Sequence, residues 1–202
     1  MLVRVSGAYE RAPIDSDEPA FVRLAAAIAK YCLTKRSSPV VREALECIGG
    51  DGYVEDSILP RLYREAPLNA IWEGAGNVIA LDVLRALDRS PHSVDAFIAE
   101  LDRARGSDPI VDRETARLKE SIATVEGESG ARRLVEQMAT CWAAALLTQY
   151  GGLSVAEAYI RSRLDGAWGS ELGTLSPAPE LADIARRAVP RTKHGASEIR
   201  PL

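Results

Sequence analysis

Residues 46–87 read ECIGGDGYVEDSILPRLYREAPLNAIWEGAGNVIALDVLRAL, and the fold turns on how this stretch is read. An apolar helical run ends at Gly49-Gly50. Glycine reaches positive φ at low cost, so the pair predicts a helix stop, and it also lets another backbone or a flat ligand come close. A polar connection follows, in which Arg61 and Arg64 stand one turn apart if helical. Trp72-Glu73-Gly74-Ala75-Gly76-Asn77 then leads into a second apolar run, Val78 to Leu87. Asn77 is placed to cap that helix, and its first amides would face an anion such as a phosphate. Glu73 lies between an indole and a glycine. A carboxylate held against Trp72 is partly desolvated, which raises its pKa and suits it to taking a proton. Taken locally, the same residues also read as a plain glycine C-cap and a surface acid, and Gly-x-Gly without a preceding strand is a weak nucleotide signal.

Working outward, Met1 to Arg11 reads as the tail of a helix and Pro13 to Pro19 as an acidic connector, with Asp17 as its cap. Phe21, Leu24, Ala25, Ile28 and Cys32 form one helical stripe. At Ser37-Ser38-Pro39 either Ser38 caps a new helix or one long helix kinks. Beyond Gly50, Tyr53 to Leu59 reads as loop, Pro60 to Glu65 as a short helix, and Leu68 to Trp72 as a brief extended piece. Asp88 to Ser93 reads as a turn. Amphipathic helices are expected over Val94–Arg105 and from Asp108-Pro109 to about Val125. Gly130 to Tyr150 is the most apolar later helix, with Leu134, Met138, Cys141, Trp142 and Ala145 on one face and Gly151-Gly152 as its stop. Ser154 can cap a helix over Val155–Leu164. Gly166 to Pro179 reads as loop, Leu181 to Val189 as a last helix, and Arg191 to Leu202 as disordered tail. No alternating strand pattern stands out, so the fold class is all-α.

The 202 residues are 47% hydrophobic and 27% charged, an ordinary globular balance, with net charge −4. That acidity weighs against nucleic acid as the main partner. Cys32, Cys47 and Cys141 are an odd, scattered set, which points to buried thiols in a reducing, cytoplasmic setting. With two histidines and no paired cysteines, no metal site is expected. No apolar run approaches the length of a membrane span.

The strings PAFVRLAAAIAKYCLTKR (19–36), EALECIGGDGY (43–53) and LPRLYREAPLNAIWEGAGNVIALDVLRAL (59–87) resemble the C-terminal helical domain of the acyl-CoA dehydrogenase family, most nearly its AidB-like, adaptive-response branch. The resemblance implies an incomplete C-terminal helical bundle over residues 1–90, an AidB-like extension of helical hairpins over 91–166, and a loop and tail over 167–202. It favours a single long helix through Pro39. It implies FAD as cofactor and an acyl-CoA thioester as substrate. By position Glu73 is the catalytic base, and Trp72 and Gly74 lie at the substrate. Ala75, Gly76 and Asn77 match residues that touch the flavin nucleotide. Glu46, Gly49 and Gly50 match a strip that reaches the flavin of a neighbouring subunit, with Glu46 in place of the usual Gln. The chain then reads as a truncated member that works as a homo-oligomer or with a chain supplying the missing domains. Two other readings stay open: a DNA-associated alkylation-protection module, using Arg132, Arg133, Arg161 and Arg163, and a helical interaction module without chemistry.

Overall fold

A computed structural model describes residues 1–125, 127–169 and 171–189. The expected disordered tail, with Arg191 and Lys193, lies outside the described residues. In chain order the elements are α1 (Leu2–Arg11), α2 (Asp17–Ile48), α3 (Gly50–Tyr53), α4 (Leu59–Glu65), a 3-10 turn (Ala66–Ala70), α5 (Gly76–Arg89), α6 (Pro91–Asp102), α7 (Pro109–Thr124), α8 (Ala131–Tyr150), α9 (Leu153–Tyr159), a π turn (Ile160–Leu164) and α10 (Glu180–Ala188). The described residues are all-α, with one isolated bridge between Trp168 and Leu175.

Helix α2 organises the rest. Its predicted stripe, Phe21, Leu24, Ala25, Ile28 and Cys32, is buried, and α1, α5, α6 and α8 all pack on it. Of the two alternatives at Pro39 the single helix is the one formed: α2 runs through it to Ile48. Proline removes one intrahelical bond, at a cost of about 3 kcal/mol. The second half of α2 is held from the side by α3, α4 and the 3-10 turn, and Ser37 Oγ donates to Thr34 O (2.8 Å) and Ala66 O (3.3 Å). No α2 residue beyond Cys32 is buried.

Helix α8 closes the other side of the core with the expected face, Leu134, Met138, Cys141, Trp142 and Ala145. Trp142 meets Phe21 and Phe97 edge-on, at centroid distances of 5.6 and 6.0 Å, and Phe21 stacks on Phe97 at 6.4 Å. This trio joins α2, α6 and α8, so residues of the first and later halves share one core.

Several local expectations differ from what forms. Asp17 is the first residue of α2 and makes no cap; Asp15 Oδ1 accepts its N–H instead, at 3.0 Å. Leu68–Trp72 is not extended, because Pro67 falls in the first turn of a 3-10 helix, where its fixed φ is suited. Only Ser90 separates α5 from α6. Ser154 lies inside α9, whose cap position is Gly152. Asp108 does cap α7, accepting from the amides of Ile110 (2.7 Å) and Val111 (3.3 Å).

A charged cluster fastens α1 to the core. Arg4 lies 4.1 Å over the Phe21 ring, forks onto Glu100 (2.8 and 3.0 Å) and reaches Glu18 (2.7 Å). Arg11 also bonds Glu18, at 2.8 Å. Burial pushes the Glu18 carboxyl up, but the bonds from Arg4 and Arg11 outweigh it and hold the group below its ordinary value of 4.5. A depressed carboxylate stabilises the fold above its unfolded pKa and loses that contribution as pH falls through the lower folded value. Arg4→Met strips two buried carboxylates of their main partner and should cost about 3–5 kcal/mol at neutral pH. Urea denaturation checks this, and the deficit should narrow below about pH 4, where carboxylates protonate.

Candidate functional site

The 3-10 turn delivers the chain to Ile71 and Trp72, whose amides both bond Leu68 O, at 2.9 and 3.1 Å. The backbone then reverses on the flank of α2. Glu73 adopts φ 54, and among the described residues it is the one non-glycine with positive φ; Gly74 follows at φ 114. Lys30 Nζ, from α2, donates to the carbonyls on either side of Glu73: Trp72 O at 2.5 Å and Gly74 O at 2.7 Å. A left-handed non-glycine costs on the order of 1–3 kcal/mol. Two bonds from an ammonium group are of the size needed to hold it.

Helix α5 opens next. Its cap position is Ala75, with no side-chain acceptor for the first amides, and Asn77 lies within the first turn rather than capping it. Asn77 has the side chain for a cap, but the cap position falls two residues earlier, at Ala75. Gly76 is buried against α2: a Cβ there would lie 2.8 Å from Lys35 Cε, 3.2 Å from Lys35 Nζ and 3.4 Å from a Tyr31 ring carbon. A methyl there would meet mainly the flexible end of Lys35, and the close approach brings that ammonium group to an uncapped helix start.

The expected desolvation of Glu73 by Trp72 does not occur within this chain. Both side chains are exposed, Trp72 at 55%. The flanking carbonyls turn inward to Lys30, and the side chain of Glu73 is left in solvent.

The structure brings together Trp72, Glu73, Gly74, Ala75, Gly76 and Asn77. It does not bring Glu46, Gly49 and Gly50 to them. From Lys30 to Gly49 the rise along α2 is roughly 28 Å. Gly49 ends α2 at φ 70, as the sequence predicts, and a Cβ on Gly49 or Gly50 would meet nothing. The close approach falls instead on Gly52, where a Cβ would lie 2.4 Å from Leu45 O, a position sequence reasoning missed. Glu46 is exposed, and Arg42 answers its charge at 3.4 Å.

With this geometry in view, comparison with known proteins is specific. Residues 6–87 match the family model of the acyl-CoA dehydrogenase C-terminal domain. The chain is 37% identical over 172 residues to AidB of Escherichia coli (strain K12), covering 85% of this chain and 31% of that one. Residues 6–87 belong to the acyl-CoA dehydrogenase family, as its C-terminal domain. A second family relative, acyl-CoA dehydrogenase family member 11 of Caenorhabditis elegans, is 34% identical over 119 residues, 59% of this chain and 19% of that one. Two solved structures superpose on this chain: the apo form of Bd2924, with TM-score 0.62 and 30% identity over 73% of this chain and 29% of that one, and Caenorhabditis elegans ACDH-11 in complex with C11-CoA, with TM-score 0.61 and 26% identity over 78% of this chain and 31% of that one. The chain thus spans about a third or less of the length of these family relatives.

The other groups singled out in the sequence are occupied structurally. Arg64 pairs with Glu55 at 2.7 Å and Arg61 with Glu65 at 3.6 Å. Burial pushes the Cys141 thiol up to about 12 and raises that of Cys32, so both are inert core thiols; Cys47, expected buried, is exposed at the open end of α2. Among the described residues no group of three His, Cys, Asp or Glu could hold a metal ion, and no helix is long and apolar enough to cross a membrane.

The glycines separate by substitution. Gly52→Ala forces its methyl into the Leu45 carbonyl and should cost about 1–3 kcal/mol. Gly50→Ala and Asn77→Ala should each stay within about 0.5 kcal/mol of the parent. Urea midpoints for the three variants check this; a large loss in Asn77→Ala would restore the cap.

Proposed function

We propose that this chain supplies the base and part of the flavin site of an FAD-dependent acyl-CoA dehydrogenase, with Glu73 taking the α-proton of an acyl-CoA thioester. The observation that carries this reading is the Glu73 turn: one carboxylate at φ 54, tethered on both sides to α2, in front of an uncapped helix. When bound, FAD supplies the acceptor for the hydride leaving the β-carbon.

The residues present fit such a cofactor. The free amides of Gly76 and Asn77, after Ala75, and the Lys35 ammonium group suit an anionic pyrophosphate. Trp72 and Gly74 flank the base on the substrate side. Gly49 and Gly50 lie far along α2, so together with Glu46 they would meet the nucleotide of a second copy rather than that of their own chain. The Arg42 pair offsets the repulsion that Glu46 alone would exert on a phosphate. Acyl-CoA is carried over as a class from the family.

A base of this kind works when water is excluded around it. Among the described residues Glu73 is exposed, as are Ile71 and Trp72 just before it, and Ile48, Tyr53, Ile58 and Tyr63 are exposed elsewhere on the preceding segment. A further cavity of about 890 Å3 between α1, α2 and α8 is lined by Leu2, Leu33, Leu146, Leu147 and Tyr150 among others. Exposed apolar surface on this scale calls for a covering partner, either the remaining portion of an enzyme or a second copy. The DNA-associated reading is less well supported. Arg161 pairs with Glu157, Arg163 lies 3.9 Å over Trp168, and Arg132 bonds the Tyr31 hydroxyl.

The test combines the chain with a polypeptide carrying the parts of a family member that precede residues 6–87 of the match. The assembly should hold FAD and reduce an electron-accepting dye when acyl-CoA is added. Glu73→Gln should lower kcat by about 10²–10⁴-fold with the flavin absorbance unchanged. Undiminished turnover in Glu73→Gln removes the proposed base.

A further inference from the structure

We infer that Lys30 is a positioning residue for the Glu73 carboxylate, acting through the two carbonyls that flank it. The role rests on the reading of Glu73 as the base and adds to it a specific device in the fold. An ammonium group has three donors on a flexible stem, and Lys30 spends two of them on the main chain, at Trp72 O and Gly74 O. Among the described residues it pairs with no carboxylate within 4.0 Å.

Those two carbonyls belong to the peptide units on either side of the Glu73–Gly74 pair. Drawing both oxygens toward one point selects a backbone in which the intervening residue takes φ 54 and the next takes φ 114. Glycine tolerates this and glutamate does not, so an unheld turn would relax at residue 73. The other contacts of the segment act on its ends. Trp72 N and Ile71 N bond Leu68 O on the entering side, and Gly76 is wedged against Tyr31 and Lys35 on the leaving side. Between them Lys30 is the side chain bonded to this reversal.

The anchor is rigid because of where Lys30 stands. Its neighbours on α2, Ile28, Ala29, Tyr31 and Cys32, are buried in the core. The position of the Lys30 Cα is therefore set by core packing, and the ammonium group relays it to a turn 42 residues later. The Cα–Cβ bond of an exposed glutamate thereby gains a fixed direction without contacts of its side chain.

Lys30→Met keeps the length of the stem and removes the donors. In NMR spectra of the full chain, the strong intraresidue HN–Hα NOE of Glu73 that marks positive φ should disappear, with the α2 core signals in place. Lys30→Arg, which keeps the charge and donors, should restore that NOE. In the complemented assembly, Lys30→Met should lower kcat by about 10²-fold, the loss that a misplacement of about 1 Å produces. KM for acyl-CoA should stay within about twofold, since the substrate's own binding groups are untouched. A Lys30→Met spectrum in which Glu73 keeps its positive-φ pattern overturns the clamp, whatever Glu73→Gln does. A relaxed turn combined with full turnover in Glu73→Gln overturns the reading of Glu73 as base, and the catalytic role of Lys30 with it.

Discussion

Phe21, Phe97 and Trp142 are each at most 2% exposed, and their rings lock α2, α6 and α8 at one point. Burial of a large aromatic side chain contributes about 1.5–3 kcal/mol by area alone, with a further gain for edge-on pairing. The stripe that continues from Phe21 through Leu24, Ala25, Ile28 and Cys32 then seats α1, α5 and α8. Every site residue takes its place from this arrangement. Lys30, Tyr31 and Lys35 are set by the helix whose stripe is buried, and the Glu73 turn and the start of α5 are set by those three side chains.

The charged cluster around Arg4 is the polar counterpart of that core. Glu18 and Glu100 are nearly inaccessible, at 5% and 2%, and buried carboxylates are tolerable only when fully answered. Arg4 supplies that answer across three helices. Replacing the cluster by apolar side chains could hold α1 as well, but the fork of a guanidinium onto a carboxylate fixes direction as well as proximity. The outcome is an α1 fastened in one register above the Phe21 ring.

What was legible in the sequence follows the range of the forces involved. The α2 and α8 stripes were legible because burial imposes a 3.6-residue period over many positions. The stop at Gly49 and the cap at Asp108 were legible because each depends on its immediate neighbours. Asn77, Asp17 and Ser154 have the right side chains for caps, yet each cap position falls one or two residues earlier, a shift that local chemistry does not forbid. Continuity through Pro39 is settled by α4 and the 3-10 turn lying alongside, which the local sequence leaves undecided. The exposure of Glu73 was not legible at all. It depends on a lysine 42 residues earlier that claims the neighbouring carbonyls, and no window around Trp72 contains that residue. Gly52 was passed over for a similar reason: its need for closeness arises from the Leu45 carbonyl of the preceding helix, reached only after the chain has turned at Gly49.

The separation between aiming and covering is the physical feature that sets this chain's limits. Aiming a carboxylate requires stiff covalent and hydrogen-bonded connections to a packed core, and α2 provides them through Lys30. Turning it into an effective base requires removal of water, which takes surface on the opposite side. Here the first requirement is met by residues close to the core. The second falls to whatever meets the exposed side chains of Trp72 and Glu73 from the solvent side. With Glu73 read as the proposed base, proton abstraction depends on two surfaces closing on each other. This chain contributes the one that carries the acid, its backbone already held in the left-handed form before any partner arrives.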